Sequence, residues 1–98
     1  MSNQAALILH NIRSAHNVGS IFRTADACRA TRTAVGVNKI YLTGYTPAPV
    51  NQFGRVNKEI AKTALGAERT IEWEKVDDIL ALIKKLKTEN YNFIALEK

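Results

Sequence analysis

Residues 10–27 read HNIRSAHNVGSIFRTADA. Four polar or basic side chains, Asn11, Arg13, His16 and Asn17, crowd its first eight positions, and Gly19 follows. From Val18 onward the apolar residues Val18, Ile21, Phe22, Ala25 and Cys28 fall at i, i+3, i+4, i+7 and i+10, one face of a helix. Immediately upstream, AALILH (residues 5–10) is an unbroken apolar run ending in a polar residue, the pattern of a short buried strand. The order strand, polar loop Asn11–Asn17, helix is the nucleus from which the rest of the chain can be read.

Downstream, NKIYLTGY holds a second strand at Lys39–Leu42, and TPAPVNQFG, with both prolines of the chain, is a loop. A second helix is expected from about Asn57 to Leu65. Ile60, Ala61, Ala64 and Leu65 form its stripe, Asn57 caps it and Gly66 ends it. RTIEWEKV alternates Ile71, Trp73 and Val76 with charge, as a half-exposed strand does. A third helix is predicted over Val76–Thr88 with the stripe Val76, Ile79, Leu80, Ile83 and Leu86. Asp77 and Asp78 stand in its first turn, and Lys84, Lys85 and Lys87 near its end, which suits the helix dipole. NFIALE is the last strand candidate. Strands alternating with helices predict an α/β fold, a parallel sheet with flanking helices and right-handed crossovers. Sites in such sheets sit at the carboxyl ends of strands, where the loop Asn11–Asn17 lies.

The 98 residues, 46% hydrophobic and 23% charged, are expected to form a single domain, residues 1–98. No apolar run is long enough to span a membrane, and MSNQAALILH lacks the basic start and cleavage site of a secretory leader. The lone cysteine, Cys28, excludes an internal disulfide framework, so a cytoplasmic location is expected. His10 and His16, without cysteines or paired carboxylates nearby, make no metal site. There is no phosphate-binding Gly-rich loop with Lys-Ser/Thr, and no acidic cluster of the response-regulator kind. The net charge of +5 and pI near 9.6 suit an acidic partner such as RNA.

At the loop, the helix N-terminus expected at about Asn17–Ser20 offers free N–H groups to an anion. Gly19 would allow a ligand close to the backbone, and Arg13 and His16 would add charge-assisted hydrogen bonds to phosphate. The competing reading makes Asn17 a plain helix cap and Arg13 a solvated arginine. By helical geometry Arg23 lies nearly opposite the apolar stripe, among the small residues Ser20, Ala27 and Ala30. Those neighbours leave room for a substrate, or Arg23 is simply solvated. Arg32 would fall on the stripe, so the helix is expected to end or shift near Ala30–Thr33.

NIRSAHNVGSIFRTADA closely resembles the first motif of the SpoU (TrmH) family of RNA ribose 2′-O-methyltransferases, Asn-x-Gly-x-x-x-Arg-[Ser/Thr]-Ala. Asn17, Gly19, Arg23, Thr24 and Ala25 meet it, and NKIYLTGYTPAP and NKEIAKTALGAE extend the resemblance over most of the chain. The resemblance implies the α/β-knot (SPOUT) fold, usually a homodimer, methylating a ribose of tRNA or rRNA with S-adenosylmethionine in the cytoplasm, with neither DNA nor a membrane as partner. It implies catalytic roles for Arg23 and Asn17, with Asn11, Arg13, His16 and Gly19 facing RNA. A guanidinium is almost never deprotonated, so Arg23 would stabilise a developing alkoxide and hold the adjacent phosphate rather than act as a base.

Two features depart from the family pattern. CRATRTA (Cys28–Ala34) stands as an insert before VGVNKI; seven residues shift helical phase by only about 20°, so it either lengthens the first helix or bulges from it. The family's later Asn-Glu/Gly-Leu and Ser-Leu-Asn-Val segments, which build the C-terminal knotted part and hold the methyl donor, do not occur in these 98 residues. The expectation is therefore the N-terminal portion of a SpoU-type domain, with no cofactor-binding residues of its own and inactive alone. The alternative is a non-catalytic RNA-binding or self-association module. Either way, an exposed apolar surface is expected where the missing segment would lie.

Overall fold

The computed structural model describes residues 5–30 and 37–97, apart from the side chains of residues 28–30. Four strands, β1 (Ala5–His10), β2 (Lys39–Thr43), β3 (Glu72–Val76) and β4 (Asn92–Glu97), form one parallel sheet in the order β3-β2-β1-β4. Helix α1 (Ala15–Ala30) joins β1 to β2, α2 (Lys58–Ala64) and α3 (Ala67–Thr70) join β2 to β3, and α4 (Ile79–Thr88) joins β3 to β4. The first two crossovers step outward from β1, and the third returns across the sheet. A fixed crossover hand then requires α4 to lie on the face opposite α1 and α2, and it does.

The two faces are visible in β1. Leu7 and Leu9 pack with Phe22, Val18, Ile60 and Ala64 under α1 and α2, whereas Ala6 and Ile8 pack with Leu82 and Leu86 of α4. A strand buried on both faces reads as a continuous apolar run, which is why AALILH shows no alternation. The sheet edges differ. β3 carries Glu72, Glu74 and Lys75, charges that discourage strand addition, and Lys39 of β2 pairs with Glu72 and Glu74 at 3.2 and 2.9 Å. β4 instead leaves Ile94 65% and Leu96 39% exposed, the apolar surface expected from the sequence.

Several boundaries move. Asn57 caps α2 as expected, its side chain accepting from the backbone N–H of Glu59 and Ile60. The strand expected from Arg69 begins only at Glu72, because Ala67–Thr70 form the extra turn α3 and Ile71 is buried behind it. Helix α4 starts at Ile79, not Val76: Asp78 is its cap, accepting from the Ala81 N–H, so Asp77 and Asp78 precede the first turn. With that start the buried face is Ile79, Leu82, Ile83 and Leu86, and Leu80 points to solvent, 77% exposed. Helix α1 includes the beginning of the insert Cys28–Ala34. The rest of the insert, Arg32 included, lies outside the described residues.

Candidate functional site

The site forms where β1 and β2 end and α1 begins. Asn11, directly after β1, has φ 54, a left-handed conformation that asparagine tolerates better than most residues. Its N–H donates to the Thr43 carbonyl at 3.2 Å, and its side-chain oxygen accepts the Tyr45 N–H at 3.2 Å. That orientation turns the Asn11 amide nitrogen toward His10 Nε2 at 3.2 Å, and His10 Nδ1 lies 2.9 Å from Thr43 Oγ1. Gly44 has φ 63, and a Cβ there would collide with Asn11 Oδ1, so a side chain is excluded at this turn. Buried Thr46 completes the tie between the two loops. Its hydroxyl donates to the Leu9 carbonyl at 2.8 Å and accepts the Ile12 N–H at 2.9 Å. From β3, Lys75 Nζ donates to the carbonyls of Gly44 (2.8 Å) and Thr46 (2.6 Å). Burial holds the Lys75 ammonium below its ordinary range, against the opposing pull of Asp77.

Helix α1 begins at Ala15, so His16 and Asn17 belong to its first turn rather than to the loop. Ser14 takes the capping role: its hydroxyl accepts the Asn17 N–H at 3.1 Å and its carbonyl the Val18 N–H. This removes the reading of Asn17 as a plain helix cap and leaves its exposed side chain on the outer surface of the turn. Gly19 is also corrected. It is buried, and a Cβ would strike Thr63 Oγ1 and the Ile60 carbonyl of α2. It serves the close approach of two helices, not the approach of RNA. Thr63 Oγ1 donates to the His16 carbonyl at 2.9 Å across that contact, and Ser20 Oγ donates to the same oxygen at 3.1 Å.

Two clefts flank this first turn. One, of about 560 Å³, is lined by His16, Ser20, Arg23, Thr24 and Ala27 of α1 and by Lys62, Thr63 and Leu65 from α2 and its end. It holds three basic side chains and no carboxylate. Arg23 is exposed in it, beside the small residues Ser20 and Ala27 that helical geometry predicted. The other, of about 420 Å³, is lined by Asn11, Ile12, Arg13, Ser14, Asn17 and Tyr45, and again by no carboxylate. His16 and Arg23 therefore share one cleft, and Asn11, Arg13 and Asn17 the other. Lys62, Thr63 and Tyr45 were not legible as site residues. Lys62 and Thr63 sit on the polar side of an ordinary helix, and only the demand of Gly19 for a close neighbour hints at them. Among the described residues no His/Cys/Asp/Glu group could hold a metal, and no helix is long and apolar enough to cross a membrane.

The chain is 31% identical over 81 residues to the 23S rRNA (guanosine-2′-O-)-methyltransferase RlmB of Neisseria meningitidis serogroup B, a match covering 83% of this chain and 27% of that protein. The fold matches the crystal structure of the A. aeolicus TrmH/SpoU tRNA modifying enzyme with a TM-score of 0.73 at 15% identity, covering 99% of this chain and 53% of that one. The chain thus spans about a quarter of the curated relative and about half of the structural one. The parallel sheet with its flanking helices is of the SPOUT type. The SpoU rRNA methylase family model matches residues 4–98, and the chain belongs to that family.

Proposed function

We propose that this chain supplies the RNA-facing half of an RNA ribose 2′-O-methyltransferase domain, its substrate a tRNA or an rRNA. The observation that carries the proposal is the cleft at His16, Arg23 and Lys62, three basic side chains with no carboxylate, beside the exposed Asn17. Such a cleft suits a phosphodiester. Arg23, rooted in a helix and surrounded by small residues, reaches a phosphate and the neighbouring ribose together. A 2′-hydroxyl losing its proton becomes an alkoxide, and a fixed guanidinium stabilises that charge without titrating. Asn17, six residues earlier on α1 and opening onto the neighbouring cleft, hydrogen-bonds the ribose or its phosphate, and Arg13 and Asn11 hold the strand on that side.

S-adenosylmethionine, the donor the family implies, does not fit the residues present. A sulfonium is repelled by the Arg23 and Lys62 cations of the basic cleft. The apolar groove along α1 and β4, lined by Leu7, Ser20, Ile21, Thr24, Ala25, Val37 and Leu96, offers two hydroxyls and no charged group for the amino acid end. The chain alone is therefore proposed to be inactive, its donor held by residues outside these 98. The exposed apolar edge of β4 supports a homodimer or a further segment covering it, and a cytoplasmic location is part of the same reading.

The test is fluorescence anisotropy with a labelled single-stranded RNA dodecamer and the DNA of the same sequence. The chain should bind RNA more tightly than DNA, because the 2′-hydroxyl is read, and Arg23→Ala should lower the slope of log affinity against log salt by about 1. Equal binding of RNA and DNA, or an Arg23→Ala variant with the full slope, would overturn the reading. Isothermal calorimetry should show no binding of S-adenosylmethionine, and micromolar binding would refute the assignment of the donor site elsewhere.

A further inference from the structure

Tyr45 is 56% exposed, yet the turn that carries it is tied down. Its N–H donates to Asn11 Oδ1, and the carbonyls of its two neighbours, Gly44 and Thr46, both accept from Lys75 Nζ. The Thr46 N–H closes the turn on the Thr43 carbonyl at 3.3 Å. A buried hydroxyl, a partly buried ammonium and an asparagine amide are thus all committed to presenting one aromatic ring to solvent. The Arg13 guanidinium carbon lies 5.6 Å from the ring centroid, within reach of a cation–π contact. The cleft beside the ring is walled by Asn11, Arg13, Ser14 and Asn17, of which the Arg13 guanidinium donates and the exposed Asn17 amide donates and accepts at a base edge, with no carboxylate to repel a nucleotide.

We infer that Tyr45 and Arg13 form a stacking platform for one unpaired nucleobase of the bound RNA. This rests on the RNA reading above and adds what that reading lacks, a contact to a base rather than to the backbone. An aromatic face and a guanidinium plane are the two surfaces on which splayed-out RNA bases stack. His16 and Asn17, adjacent on α1, open onto the phosphate cleft and the Tyr45 cleft respectively. A strand crossing the first turn of α1 therefore lays its phosphate against Arg23 and Lys62 and its base against Tyr45. The platform is tolerant of base identity, since every base has a π-face. It selects unpaired over paired nucleotides.

The experiment uses the whole 98-residue chain and a single-stranded RNA dodecamer of uridines carrying one 2-aminopurine, whose fluorescence falls on stacking. The wild-type chain should quench it. Tyr45→Ala, which keeps the backbone N–H to Asn11, should weaken binding about tenfold and abolish quenching while the salt slope stays unchanged. Tyr45→Phe should retain affinity and quenching, and Tyr45→Leu should lose quenching, which separates stacking from mere apolar contact. Wild-type affinity and quenching in Tyr45→Ala would overturn the platform. If RNA binding and its Arg23 dependence then persist, the functional reading stands and Tyr45 faces another class of partner, such as a protein. Absence of RNA binding by the wild-type chain would overturn both together.

Discussion

Helices α1 and α4 lie on opposite faces of the same sheet and show two ways of using a helix. Helix α4 is plainly amphipathic: Leu82 and Leu86 are buried, Ile79 and Ile83 are half-buried, and its cap Asp78 and the late lysines Lys85 and Lys87 complement its ends. Only Leu80, exposed on its outer side, stands outside that pattern. Helix α1 is used on three sides. Val18, Phe22 and Ala25 face the core, Gly19 presses against α2, and His16, Ser20, Arg23 and Thr24 line the basic cleft. The apolar stripe of α1 accounts for one of these sides only, and the other two carry the contact with α2 and the basic cleft.

Four substitutions sharpen or break that contrast. Leu86→Ala removes a fully buried side chain under α4 and should cost about 2–5 kcal/mol in chemical denaturation, while the folded variant keeps its affinity for RNA. Gly19→Ala places a methyl against Thr63 Oγ1 and the Ile60 carbonyl, and should cost about 1–3 kcal/mol. Unlike Leu86→Ala it should also weaken RNA binding, because Arg23 and Lys62 are moved apart. If it lost stability alone, the coupling of the α1–α2 contact to the site would be refuted. Arg23→Ala should change stability by no more than about 0.5 kcal/mol and yet lower RNA affinity, the reverse of Leu86→Ala. Leu80→Ala, on the solvent side of α4, should leave both stability and binding within error, and a loss of RNA affinity there would show that the α4 face takes part.

Much of this architecture is legible in the sequence. AALILH and NFIALE mark β1 and β4 to the residue, and Asn57 announces the start of α2. The beginning of α1 is not legible, because Ser14 and Asn17 are both favoured caps three residues apart. What selects Ser14 is tertiary: Thr46 and Asn11 hold the preceding loop so that the chain turns early. Helix α3, a single turn, is too short to leave a period. Leu80 passes for a core residue until the start of α4 is moved to Ile79. At the site, the HNIRSAHNVGSIFR stretch reveals the residues that share one segment. Lys62, Thr63 and Tyr45 come from elsewhere in the chain, and only packing brings them there. Gly19 shows the reverse error: a glycine next to a polar loop suggests ligand approach, but its open side is filled by another helix.

The most direct measurement is amide chemical-shift mapping of the isotope-labelled chain titrated with the single-stranded RNA dodecamer. The basic cleft and its neighbouring turn predict shifts concentrated at residues 11–24, 44–46 and 58–65, with the α4 amides of 79–88 unmoved. Shifts centred on α4, or spread evenly over both faces of the sheet, would contradict the assignment of the RNA-binding surface to α1.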